Sequence, residues 1–154
     1  MENKYLRKLN IELVDGEYNN PIKGQVSTPK QIYDVFKSLK DKAQETLIAV
    51  YLNNDLEVLT YNILSTGSKS ETVIDFGDIY GYGFVMKAKY FVLIHNHPKG
   101  DSNPSDGDKE IMSKFKDYSK IELTPLDFII VGDNKYWSMF EEMDGGEYTL
   151  GSIK

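Results

Sequence analysis

Apolar residues recur at two different periods along this chain, and the switches between them delimit the elements. Ile32, Val35, Phe36 and Leu39 follow the i, i+3, i+4, i+7 spacing of one helical face. Ser27-Thr28-Pro29 opens that helix with a hydroxyl cap and a proline whose missing N–H costs little in a first turn. The face runs to about Lys42. Two strands are predicted next, Thr46–Leu52 and Leu56–Leu64, turning at Asn53-Asn54-Asp55. Ser65–Glu71 is polar and reads as loop. Val73–Lys89 is ambiguous: Ile79, Tyr82 and Met86 suggest a helix on a sheet, yet Gly81 and Gly83 each cost up to about 1 kcal/mol inside one. Tyr90–Ile94 is apolar throughout, which marks a strand buried on both faces. After a loop at Asn96–Pro104, Ile111, Met112 and Phe115 line the inner face of another helix. Phe128–Val131 and Tyr136–Phe140 flank Gly132-Asp133-Asn134 as a closing hairpin, while Leu6–Val14 reads as an edge strand and Asp15–Lys23 as loop. Hairpins and helices around one buried strand make a mixed-sheet α/β domain.

Composition narrows the chemistry. With 154 residues the chain fits a single domain, and no apolar run reaches the ~20 residues of a membrane helix. Its start lacks the apolar stretch of a secretory signal, so a soluble, cytoplasmic protein is expected. The absence of cysteine removes disulfides, thiol nucleophiles and thiolate-held metals, and fits a reducing compartment. Acidic residues outnumber basic ones by 24 to 18, which argues against the phosphate backbone of nucleic acid as the main partner. Lys109, Lys116 and Lys120 recur at helical spacing and read as a solvated helix face.

The two histidines of the sequence, His95 and His97, stand at the end of the buried strand. Side chains at i and i+2 leave a strand on the same side, so both imidazoles can converge on one ion. Pro98 stops the ladder, Gly100, Asn103 and Pro104 turn the chain back, and Asp108 follows in the first turn of the next helix. Two imidazoles and a carboxylate make a three-ligand zinc set with a fourth position open to water, whose pKa such a site lowers to about 7. Ser105 and Asp108 have a structural reading as well. Ser-x-x-Asp ahead of an apolar-periodic run is a capping-box pattern. The strand-end histidines, tight turn and first-turn aspartate together shift the balance to metal.

The stretch His95-Asn96-His97-Pro98-Lys99-Gly100-Asp101-Ser102-Asn103-Pro104-Ser105-Asp106-Gly107-Asp108 resembles the JAMM (JAB/MPN) metalloprotease motif, His-x-His, seven residues, Ser, two residues, Asp. It is most similar to the RadC-type bacterial branch, and the likeness extends from Ser27 to Phe140 through the Thr-Pro-Lys-Gln-Ile-Tyr helix start and the Ile-Val-Gly-Asp-x-x-Tyr-Trp-Ser hairpin. The resemblance implies a three-layer, deaminase-like α/β JAB/MPN domain at 27–142, with residues 1–26 as an N-terminal extension and 143–154, Gly145-Gly146 included, as a flexible tail. It implies that His95, His97 and Asp108 hold Zn²⁺ and that Ser105 donates to a developing oxyanion. The family's general base opens the strand after the first helix, where Glu45 stands; Asp78 is the rival, better read as a helix-start residue favoured by the dipole.

Three departures limit what carries over. RadC chains usually have a helix–hairpin–helix module ahead of this domain, which 26 residues cannot accommodate. Phe128 stands where the family commonly has His, and Lys99 where it has a small residue. The association with DNA therefore transfers poorly. The expected function is a zinc peptidase or isopeptidase acting on a protein or peptide; the wider family includes deubiquitinating enzymes, although no ubiquitin-like partner can be read from these residues. The competing reading is a non-catalytic binding module that retained the metal site. An HNH nuclease spreads its residues over a ββα unit, and a zinc deaminase needs Pro-Cys-x-x-Cys, so neither fits.

Overall fold

The structure, a computed structural model, describes residues 5–67, 74–118, 122–144 and 148. Helix α1 (Pro29–Phe36) starts where the sequence predicts. The Gln31 side chain folds back to accept the backbone N–H groups of Ser27 and Thr28, at 2.7 and 3.1 Å. A 3₁₀ turn (Lys37–Asp41) continues the apolar face, so Ile32, Phe36 and Leu39 are all buried.

Five strands form one mixed sheet: β1 (Glu45–Leu52), β2 (Val58–Gly67), β3 (Tyr90–Asn96), β4 (Thr124–Val131) and β5 (Tyr136–Ser138), in the order β2-β1-β3-β4-β5. β1 runs antiparallel to β2 and β3, β3 and β4 are parallel, and β5 returns antiparallel to β4. The continuously apolar strand is the central one. A parallel pair needs a crossover, and α3 (Asp106–Tyr118) lies on the β3-to-β4 connection.

Alternation along the strands feeds two cores. Ile48, Val50, Val92, Ile94, Ile129 and Val131 pack under α1, the 3₁₀ turn and α4 (Met139–Asp144). Leu47, Ala49, Phe91, Leu93, Phe128 and Ile130 face α2 (Phe76–Val85) and α3. The result is a three-layer α/β domain with a mixed sheet flanked by helices.

Within the ambiguous stretch Val73–Lys89, Phe76–Val85 is helix, and Val73 lies outside the described residues. A Cβ on Gly83 would fall 2.3 Å from Leu123 Cδ2 and 3.1 Å from the Tyr51 ring, so the glycine that weakens the helix lets it approach the sheet. At that approach the Tyr51 hydroxyl donates to the Ile79 carbonyl at 2.7 Å.

Four expectations need correction. Leu6–Val14 forms no strand: its alternation suits one, but among the described residues no neighbour supplies a ladder, and Leu6, Leu9 and Leu13 lie exposed. Ser65–Gly67 belongs to β2, paired with Leu47, Thr46 and Glu45, because polar side chains are acceptable on an edge strand; the rest of the expected loop lies outside the described residues. β5 stops at Ser138, whose Oγ accepts the Glu141 N–H at 3.2 Å and starts α4. Within the expected tail, Met143 and Asp144 complete α4 and Tyr148 is buried in the first core. Gly145-Gly146, Lys120 and the Lys116 side chain lie outside what is described, while Lys109 is exposed. Among the described residues no helix is long and apolar enough to cross a membrane.

Tyr148 is tied down by Asp127, a buried carboxylate that accepts its hydroxyl at 2.6 Å, Ser138 Oγ at 2.7 Å, and the N–H groups of Phe128 and Phe140 at 2.7 and 2.9 Å. Burial pushes this carboxyl up from an ordinary 3.8 to about 6, against the pull of the four donors. Between those values the folded chain keeps a proton that the unfolded chain sheds. Asp127's contribution to stability therefore falls as pH rises through that window, by at most about 3 kcal/mol. The melting-temperature advantage of the native chain over Asp127→Asn should be larger near about pH 4.5 than near about pH 7. A gap independent of pH would contradict this.

Candidate metal centre

β3 delivers the histidines to the centre of the sheet edge. His95 shares the α2–α3 side with Phe91 and Leu93, and its ring lies 4.9 Å from that of His97. The loop beyond is pinned: His97 N donates to Val131 O at 3.2 Å, Gly100 N to His97 O at 2.8 Å, and Asp133 N to Gly100 O at 2.7 Å. Gly100 sits at φ +89°, and a Cβ on Gly132 would lie 2.8 Å from the Gly100 carbonyl oxygen. Two glycines thus let the β4–β5 turn press on the loop that carries His97.

α3 supplies the aspartate through a complete capping box. Ser105 Oγ accepts the Asp108 N–H at 3.1 Å, and Asp108 Oδ2 accepts the Ser105 N–H at 2.8 Å. The structural and the metal readings of this pair are therefore compatible. Held there, the Asp108 carboxylate places Oδ1 3.0 Å from His95 Nε2 and Oδ2 3.0 Å from His97 Nε2.

Glu45 comes from the first position of β1. Leu47 is opposite His95 in the β1–β3 ladder, so Glu45 projects on the same side two residues away. Its Oε1 lies 2.6 Å from His95 Nδ1. On the other side of the sheet, buried Asn96 accepts the Thr46 N–H at 2.8 Å and donates to Gln44 O at 3.1 Å. Asn96 thus fixes both backbone neighbours of Glu45.

Glu45, His95, His97 and Asp108 each offer one donor atom, and these atoms lie within 4.8 Å of one another. Asp78 is not among them: it sits exposed in the first turn of α2, whose cap is Asp75. Burial acts to lower the His95 pKa, but the Asp108 and Glu45 carboxylates outweigh it and raise it. Burial likewise works against charge on Asp108, and the two imidazoles overcome it, holding the carboxyl well below the usual carboxylate range.

The group can hold a metal ion. His95 Nε2, fully buried, lies 3.0 Å from Asp108 Oδ1 and has no hydrogen-bond partner among the described residues. A cation would use that nitrogen and share the two carboxylate charges. Mixed imidazole and carboxylate donors suit zinc. Sequence reasoning missed two contributors. Asp101 Oδ2 lies 3.5 Å from His97 Nδ1, a contact made by the fold of the loop that no spacing in the sequence signals. Asn96 could have been flagged as the residue between two histidines that must face the opposite core.

Ser105→Ala separates two roles of the serine. As a cap alone its loss should cost about 1 kcal/mol of stability and nothing else. As an oxyanion donor it should also slow turnover by about 10²-fold or more with the metal content unchanged. Melting temperature and rate on one preparation decide.

A sheet-centred His-x-His facing a helix-start aspartate, with a glutamate from the adjacent strand, defines a domain of the JAB type. The family model for the RadC-like JAB domain matches residues 26–145. A UPF0758 protein of Streptococcus agalactiae is 32% identical over 146 residues, which is 94% of this chain and 64% of that one. Relatives of the same name in Methanosarcina mazei and Carboxydothermus hydrogenoformans are 27% and 33% identical over 122 and 116 residues, covering 78% and 74% of this chain but 53% and 51% of theirs. The chain belongs to the RadC-like JAB domain family, and it spans between half and two thirds of the length of these curated relatives.

Proposed function

We propose that this chain is a zinc-dependent peptidase or isopeptidase that hydrolyses an amide bond in a protein or peptide substrate. The observation that carries the reading is the convergence of Glu45, His95, His97 and Asp108 at the carboxyl end of a central strand. His95, His97 and Asp108 would hold the ion, which when bound acidifies a water and polarises the scissile carbonyl. Glu45 engages His95 through Oε1, and its second oxygen takes the proton of the attacking water and returns it to the leaving amine. Ser105 accepts the Asp108 N–H at its oxygen, so its own hydroxyl proton is available to the oxyanion. A reducing cytoplasm fits a chain without cysteine.

A second reading is favoured by the same four donors. If Glu45 joins the other three on the ion, the coordination shell is closed and the domain is a binding module with a structural metal. Turnover separates the two. The purified chain should hydrolyse members of a peptide or isopeptide library, lose that activity to a chelator and regain it with zinc. A zinc-loaded chain inert on all of them would favour the module.

A further inference from the structure

The two histidines share an arrangement that their sequence spacing does not reveal. Each turns Nε2 to one oxygen of Asp108, at 3.0 Å, and each turns Nδ1 to a second carboxylate. For His95 that carboxylate is Glu45, hydrogen-bonded at 2.6 Å; for His97 it is Asp101, an ion-pair neighbour at 3.5 Å that closes to a hydrogen bond only if the loop tightens. An imidazole that gives its Nε2 lone pair to a metal carries its proton on Nδ1. An acceptor at Nδ1 fixes that tautomer, stops the ring from rotating and makes Nε2 a stronger donor.

We propose that Glu45 and Asp101 are positioning residues that hold the two rings with Nε2 turned to the ion, Glu45 in addition to its part as base. The inference rests on the metal site proposed above and not on turnover. The two oxygens of Glu45 allow both duties: Oε1 is engaged by His95, and the other remains for proton transfer. Burial grades the effect. The His95 side chain is 3% exposed, so removing Glu45 leaves Nδ1–H unpaired where water cannot readily replace it. Asp101 is 48% exposed and reaches His97 from the solvent side, where water can substitute in part.

Zinc affinity, measured on the full chain by competition with a chromophoric chelator, tests this. Glu45→Ala should bind zinc about 10- to 100-fold more weakly than the native chain. Glu45→Gln should stay within about threefold, because its amide oxygen still accepts from Nδ1–H. Asp101→Ala should lose affinity by less than Glu45→Ala. Native affinity in Glu45→Ala overturns the role of Glu45, and native affinity in Asp101→Ala overturns that of Asp101. A loss in Glu45→Gln as large as in Glu45→Ala means that Glu45 ligates the ion itself, which also overturns the proposal. Long-range ¹H–¹⁵N spectra of the zinc-loaded native chain give a readout independent of any variant's folding: the ring proton of both histidines should reside on Nδ1, and a proton on Nε2 refutes the arrangement. These outcomes remain distinct from the fate of the proposed function. A chain that shows them all but hydrolyses nothing removes the peptidase reading alone, whereas a native chain that binds no zinc removes both.

Discussion

Glu45→Gln should leave the fold and the bound zinc in place and remove turnover. The amide is nearly isosteric with the carboxylate and keeps an acceptor for His95 Nδ1, but it cannot take a proton from the attacking water. General base catalysis is typically worth about 10²- to 10⁴-fold, and the rate should fall by that much. Glu45→Asp should be slow as well, since removing one methylene withdraws the carboxylate from a site where small displacements are costly. Asp78→Asn is the control: this residue is exposed on α2 and outside the four-residue group, so its loss should not change the rate. Activity that survives Glu45→Gln would place the base elsewhere.

The second large effect is on the metal. His97→Ala should lose most of the zinc, and His95→Ala combined with it should lose all, because Asp108 and Glu45 then remain as acidic donors without an imidazole. His97, 12% exposed, is the gentler substitution; His95 is deeply buried and its loss also leaves a cavity. Chelation of the native chain should lower its melting temperature. A ligand held only by the folded state, at about a thousand times its Kd, contributes about 4 kcal/mol. Full metal occupancy in the double variant would rule out this site.

Much of this arrangement could be read from local pattern. The i, i+2 spacing of His95 and His97 after an apolar run placed both on one side of a central strand, and Ser105-x-x-Asp108 announced a helix start that the structure shows as a reciprocal hydrogen-bonded box. Glu45 was legible only through family resemblance. Its place beside His95 depends on a ladder register between strands 50 residues apart, which no local signal fixes. Asp101 was missed because loop side chains have no periodicity to aim them. The errors elsewhere have the same origin. Leu6–Val14 has the alternation of a strand without a partner, and Ser138-Met139-Phe140-Glu141 carries a helix-start spacing that was overridden by the apolar run of the hairpin. Patterns within one element were informative; decisions made by a second element were not.

The backbone N–H of Tyr148 donates to the carbonyl of Ser27 at 2.7 Å. Ser27, just ahead of α1, and Tyr148, which follows α4, are therefore laid side by side, and Tyr148 packs in the core on the α1 side of the sheet. His95 and its neighbours face the α2–α3 side. That bond clasps the start of α1 to the chain beyond α4, and it does so on the far side of the sheet from the metal group.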